Sequence, residues 1–121
     1  MGKTVLTVDD SKAIRDMIAF TLTAEGYEVI EAADGVEGLE QLRRRRVSLV
    51  LTDLNMPRMN GLDFLVNARK EPNGSGIPIV MLTTESKPET KARGKELGAT
   101  GWISKPFDAQ MLVTVARKLV G

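Results

Sequence analysis

The sequence contains neither cysteine nor histidine. Without cysteine there is no disulfide, no zinc–thiolate site and no thiol nucleophile, an absence compatible with a reducing compartment. Without either residue there is no thiolate or imidazole to attract a softer metal, so an oxygen-seeking ion is favoured. Aromatics make up 4% of the residues, no basic stripe is interleaved with them, and the formal net charge is +1, so direct nucleic-acid binding is not expected. No apolar stretch is long enough to span a bilayer. The opening Met1-Gly2-Lys3-Thr4-Val5-Leu6 has too short an apolar run for a signal peptide and lacks the hydroxyl at position 6 that a myristoylation signal needs. A cytoplasmic protein with no membrane attachment is therefore expected. What is present is ordinary for a globular chain, 42% hydrophobic and 27% charged over 121 residues, enough to bury one core. One domain over 1–121 is predicted, with no output domain and no internal repeat.

Apolar periodicity alternates along the chain. Lys3 to Val8 is β-branched and apolar and ends in Asp9-Asp10, after which Ser11 opens a helix with Ile14, Met17, Ile18 and Leu22 on one face, stopped by Gly26. Tyr27 to Ala33 reads as a second strand, Asp34-Gly35 as a turn, and Val36, Leu39 and Leu42 as the inner face of a second helix. Leu49 to Leu51 has the look of a strand buried on both faces; it ends abruptly in Asp53, and Pro57 and Asn60-Gly61 mark a loop after it. Leu62, Leu65 and Ala68 mark a third helix, Glu71 to Gly76 a flexible link, and Ile77 to Thr83 a fourth strand. Ser86 and Glu89 have capping-box spacing around Pro88, opening a marginal, exposed fourth helix with Ala92 and Leu97 but also Gly94 inside it. Thr100 to Ser104 is the fifth strand, Lys105-Pro106-Phe107 a turn, and Asp108 the cap of a last helix with Met111, Leu112, Val115 and Leu119 facing in.

Five β-α units in strict alternation predict an α/β fold of the flavodoxin-like (βα)5 type, a doubly wound, five-stranded parallel sheet of order 2-1-3-4-5 with helices on both faces. The carboxyl ends of all strands then share one edge, which carries Asp9, Asp10, Asp53, Thr83 and Lys105. Three carboxylates at close range repel unless a cation joins them, and an all-oxygen set with room for water suits Mg²⁺. Lys105 and Thr83 add a positive charge and a hydroxyl donor, the complement of a phosphoryl group. A carboxylate can itself be the nucleophile, with Asp53 accepting the phosphoryl group as an aspartyl phosphate.

Val8-Asp9-Asp10-Ser11, Thr52-Asp53-Leu54-Asn55-Met56-Pro57 with Gly61, Met81-Leu82-Thr83 and Lys105-Pro106-Phe107 stand in that order at successive strand ends. In this the sequence resembles, over essentially its whole length, the receiver domain of two-component response regulators, and most closely the stand-alone chemotaxis regulators of the CheY type. The resemblance implies that Asp53 takes a phosphoryl group from a histidine kinase, with Asp10, Asp53 and the backbone carbonyl of Asn55 ligating Mg²⁺ and Asp9 acting through water. It implies a cis Lys105-Pro106 bond, pairing of Lys105 with the phosphoryl group, and a switch in which Thr83 moves inward and the aromatic Trp102 follows. Two residues depart from the family's habit: Trp102 stands where a smaller aromatic or His is usual, and Thr84 where Ala or Gly is usual. Asn55 and Glu85, with Thr84, are the positions that tune dephosphorylation, and self-dephosphorylation is expected.

The chain is thus read as a phosphoacceptor switch that catalyses its own phosphorylation and dephosphorylation, rather than an enzyme with a separate substrate. A monomer is expected, signalling to a flagellar motor-switch protein or, as an alternative, passing the phosphoryl group to a histidine phosphotransfer protein; a phosphatase is a further possible partner. An aspartyl-phosphate phosphatase of the haloacid-dehalogenase type is disfavoured because Asp53-Leu54-Asn55 lacks the second acid. A flavin carrier is disfavoured because the first β-α loop is acidic. Arg43 to Arg46 read as a solvated helix end that complements the dipole. Met56 and Met59 fit either gap-filling packing or a docking surface.

Overall fold

Apolar residues on both faces of the central strands account for the architecture. The computed structural model describes residues 3–85 and 87–121. Strands β3 (Leu49–Asp53) and β4 (Ile79–Thr83) are buried at every position, as strands covered by helices on both sides must be. With β1 (Thr4–Val8), β2 (Glu28–Ala32) and β5 (Gly101–Ser104) they form a sheet of order β2-β1-β3-β4-β5 with every neighbouring pair parallel. Helices α1 (Lys12–Ala24) and α5 (Ala109–Leu119) cover one face, where Ile18, Leu22 and Leu112 meet Val5, Leu51 and Leu82. Helices α2 (Gly35–Arg44) and α3 (Gly61–Lys70) cover the other, where Leu39, Leu42, Phe64 and Leu65 meet Leu6, Val8, Val50 and Ile79. Among the described residues no helix is long and apolar enough to cross a membrane.

Among the described residues four helices start on a side-chain cap. Ser11, Asp34, Asn60 and Asp108 accept the backbone N–H of Ile14, Glu37, Asp63 and Met111, each bond worth about 1 kcal/mol to its helix. Asp34-Gly35 is therefore the start of α2 rather than a separate turn. Helix α4 (Pro88–Glu96) differs: Lys87 stands at its N-cap without a side-chain hydrogen bond, and the expected cap, Ser86, lies outside the described residues. Gly94 is its one buried residue, so the expected marginal, exposed helix is observed, with Ala92 facing outward.

Two further expectations are corrected. Met111 is 48% exposed, because the inward face of α5 is set by Leu112 and Ala116. The Glu71–Gly76 segment is pinned rather than flexible: Asn73 Nδ2 donates to the Leu42 carbonyl at 2.8 Å, and a Cβ on Gly74 would fall 2.1 Å from the Ala68 carbonyl oxygen. Arg69 completes the clamp by donating to the carbonyls of Gly74, Ile77 and Gly98. Burial lowers the pKa of its guanidinium from the usual value, leaving it charged at physiological pH.

Among the described residues the fully buried Thr7 hydroxyl has no hydrogen-bond partner. Leaving such a group unmatched costs about 1 kcal/mol or more. Thr7→Val is accordingly expected to raise the unfolding free energy by about 1 kcal/mol, read as a higher urea midpoint at unchanged slope; a lower midpoint would contradict the unsatisfied hydroxyl.

Candidate functional site

The parallel register lines up the strand ends. Val8 lies beside Thr52, Asp53 beside Leu82, and Thr83 beside Ser104, so the residues that end or follow β1, β3, β4 and β5 share one edge. Asp9, Asp10 and Asp53 each bring a carboxylate oxygen within 4.8 Å of the others. Asp9 and Asp53 are buried, whereas Asp10 is exposed. Lys105 reaches in from the end of β5, its Nζ 3.0 Å from Asp9 Oδ2 and 3.5 Å from Asp53 Oδ1. The Lys105-Pro106 bond is cis, as expected from the resemblance.

Local backbone chemistry holds each acid. Asp9 Oδ1 accepts the Ser11 N–H at 2.9 Å and Asp53 Oδ1 the Leu54 N–H at 2.8 Å. Gly61 allows α3 to start directly beneath the acid: a Cβ there would lie 2.3 Å from the Asp53 carbonyl oxygen, and its N–H donates to the Leu54 carbonyl at 2.6 Å. Burial pushes the Asp53 carboxyl above its ordinary value; Lys105 opposes this and the Asp9 charge adds to it. All donors are hard oxygens, and three carboxylates converge beside a single lysine. That set fits a divalent oxygen-seeking cation such as Mg²⁺.

On the next strand Thr83 is fully buried, and its Oγ1 accepts the Glu85 N–H at 3.0 Å. Trp102 is half-buried on β5, with Nε1 donating to the Glu85 carbonyl at 3.2 Å. Its ring leans on Gly94 of α4, where a Cβ would stand 3.0 Å from Cζ3. Thr83 and Trp102 are therefore joined through one residue, Glu85, and among the described residues neither side chain hydrogen-bonds to the acids. Thr84 is exposed and lines a recess of about 300 Å³ with Ile14, Met17, Lys105, Pro106 and Phe107. Asn55 is exposed on the loop two residues beyond Asp53.

Residues outside the expected set also shape the site. Arg15 Nη1 donates to the Asp9 carbonyl at 2.6 Å while its Nε meets Glu31 of β2 at 3.2 Å. Arg58, on the loop after β3, pairs with Asp34. Arg15 stands four residues after the Ser11 cap, a signal of a helix-borne cation near the loop; the Arg58 pairing spans 24 residues and leaves no local trace. Arg43 and Arg45 bond to Glu71 and Glu28, as a solvated helix end would. Met56 and Met59 pack against the α2–α3 core, which favours gap-filling over docking.

Residues 5–117 match a family described as the response regulator receiver domain. Among solved structures, the chemotaxis protein CheY4 of Vibrio cholerae matches with a TM-score of 0.94 and 43% identity over 98% of this chain and 99% of that one. The receiver domain of the sensor histidine kinase PA1611 of Pseudomonas aeruginosa, with a magnesium ion coordinated in its active-site cleft, matches at TM-score 0.91 and 26% identity, covering 100% of this chain and 99% of that one. Among curated proteins, the phosphate regulon transcriptional regulatory protein PhoB of Escherichia coli is 35% identical over 93% of this chain and 49% of its own length. The DNA-binding response regulator MtrA of Mycolicibacterium paratuberculosis is 38% identical over 97% of this chain and 51% of its own. The chain spans about half the length of these curated relatives.

The raised Asp53 pKa fixes the sign of one stability effect. Its contribution is fully present below the ordinary carboxyl value of 3.8 and is lost as pH rises through the folded-state value, because the unfolded chain then ionises more readily. Asp53→Asn is therefore expected to be more stable than the wild type at neutral pH without metal, with the gap closing in acid. Denaturant melts across pH measure this, and a pH-independent gap would contradict the cause assigned.

Proposed function

This chain belongs to the response regulator receiver domain family, and from that premise we propose that it is a phosphoacceptor switch of a two-component system, charged on Asp53 by a histidine kinase. The observation that carries the reading is a buried carboxylate of raised pKa at a strand end, flanked by two further acids and a lysine. Asp10, Asp53 and the Asn55 backbone carbonyl would hold Mg²⁺. Asp9, already bonded to Lys105 and Ser11, would act through water. When bound, the ion supplies positive charge against the acids and the moving phosphoryl group.

In the proposed transfer an Asp53 oxygen attacks phosphorus; the new P–O bond forms as the P–N bond to the donor imidazole breaks. Lys105 stands 3.5 Å from Asp53 Oδ1 and exchanges its contact with Asp53 for one with the phosphoryl oxygens. The added charge of about −1.5 to −2 draws the Thr83 hydroxyl away from the Glu85 N–H. Because the Glu85 carbonyl also holds Trp102, the change passes to α4, β5 and α5, the face a partner would read. Return to the resting state is hydrolysis of the aspartyl phosphate, tuned by Asn55, Thr84 and Glu85, with Thr84 narrowing the approach of water. No separate substrate is turned over.

The likeness to the chemotaxis protein CheY4 supports a chemotactic role, and the output proposed for it is binding to a flagellar motor-switch protein by a cytoplasmic monomer. A second reading, the receiver portion of a transcription regulator, is favoured by the length and names of the curated relatives. Capture from a motile host with phosphorylated protein tests the first reading: a motor protein supports it, and a histidine phosphotransfer protein alone would instead indicate a phosphorelay shuttle.

The chemistry is tested by titrating Mg²⁺ and then a small-molecule phosphodonor while recording Trp102 emission and intact mass. A Mg²⁺-dependent phosphoryl adduct is expected in the wild type and absent in Asp53→Ala, with a change in emission and spontaneous loss of the adduct. No adduct even with a cognate kinase would overturn the reading, and an adduct stable for many hours would overturn self-dephosphorylation.

A further inference from the structure

The loop from Leu54 to Asn60 carries the Asn55 carbonyl and leaves the core immediately after Asp53. Its base is closed by the Gly61 N–H on the Leu54 carbonyl at 2.6 Å, and Asn60 caps α3 at its far end. Its tip is held differently. Arg58 has φ of 66°, and Met59 N–H donates to the Pro57 carbonyl at 2.7 Å, a tight γ-turn of the strained hand in a residue with a side chain. Such a conformation persists when surrounding contacts over-determine it.

Those contacts come from the start of α2. Arg58 Nε and Nη2 lie 2.8 and 2.6 Å from Asp34 Oδ2, while Asp34 Oδ1 accepts the Glu37 N–H at 2.9 Å. The Asp34 side chain is 10% exposed, so one carboxylate both caps a helix and grips the loop. Burial pulls its pKa up, but the Glu37 N–H and the Arg58 guanidinium outweigh burial and hold it below the ordinary value. The next residue, Met59, seats over Gly35, with Cβ, Cγ and Sδ each 3.0 Å from where a Cβ on that glycine would be. Consecutive loop residues, Arg58 and Met59, thus dock on Asp34, the N-cap of α2, and Gly35, its first residue.

We propose that Arg58 is a positioning residue for the acidic site: its ion pair with Asp34 braces the loop 54–60 against α2 and so sets the Asn55 carbonyl in place for a cation before the cation arrives. The role in cation binding rests on the Mg²⁺ reading of the site, while the brace itself does not. Arg58 touches neither the phosphoryl group nor the ion in this role; it acts through the backbone it anchors. An exposed ion pair ordinarily contributes little to overall stability, so the effect falls on the order of the loop more than on the fold.

Arg58→Gly removes the guanidinium with its stem at a position whose positive φ glycine adopts without strain, and Asp34→Asn, which leaves the loop sequence unchanged, controls for the backbone freedom that glycine adds. Asp34→Asn removes the charge while keeping a good helix cap. In metal-free protein, amide hydrogen exchange at 54–60 is expected to rise roughly tenfold in Arg58→Gly and in Asp34→Asn alike, with the urea midpoint nearly unchanged. Calorimetric titration with Mg²⁺ alone is expected to show about tenfold weaker binding in either variant. The double variant should be no worse than the single ones, and Arg58→Lys should restore part of the affinity. Wild-type exchange at 54–60 in Arg58→Gly would overturn the brace whatever the metal result. Wild-type Mg²⁺ affinity in that variant would overturn its role in the site, whereas absence of Mg²⁺ binding by the wild-type protein would overturn the metal reading and the positioning claim with it.

Discussion

A single ammonium group set between two buried carboxylates is the constraint around which this edge of the sheet is arranged. Lys105 contacts Asp9 and Asp53 from the far side of β4, so the site exists only if β1, β3 and β5 hold their places in one parallel sheet. Burial makes the contact strong and also makes it insufficient, since the Asp53 carboxyl remains raised above its ordinary value. The resting site therefore retains electrostatic strain that added positive charge relieves. In the proposed switch this is what makes Asp53 both a place for a cation to settle and an acceptor poised to react.

Thr83 and Trp102 show how such a site can speak to a distant face with few parts. Glu85 presents its N–H to Thr83 and its carbonyl to Trp102, so one peptide-bearing residue links the buried hydroxyl to the indole. Gly94 gives the large ring room against α4, a helix that buries almost nothing of its own. An element with so few buried contacts is easily displaced, and the proposed output uses that ease.

Guanidinium groups hold the loops where the sheet cannot reach them. Arg15 ties the Asp9 backbone to β2, Arg58 ties the loop after Asp53 to α2, and Arg69 gathers three carbonyls from two loops at the opposite end of the domain. Each spans elements far apart in the chain and each uses the planar fork of arginine, which lysine lacks. The loops consequently take defined shapes despite their glycine-rich and polar composition.

Periodicity alone determined the order of strands and helices, because alternating apolar runs need parallel pairing and right-handed crossovers, and it placed Asp9, Asp10, Asp53, Thr83 and Lys105 on one edge. The caps at Ser11 and Asp108 were equally legible, since a cap depends on residues three apart. Met111 was misplaced because neighbouring helical positions differ by a fraction of a turn, and Glu71–Gly76 because composition says nothing of the Asn73 and Arg69 bonds that fix it. Only the tertiary structure decided that Asp34 serves Arg58 across 24 residues, that Thr83 and Trp102 meet at Glu85, and that Gly94 receives the indole. Local pattern records which face a residue turns to the core; which side chain meets it there depends on the packing of the whole chain.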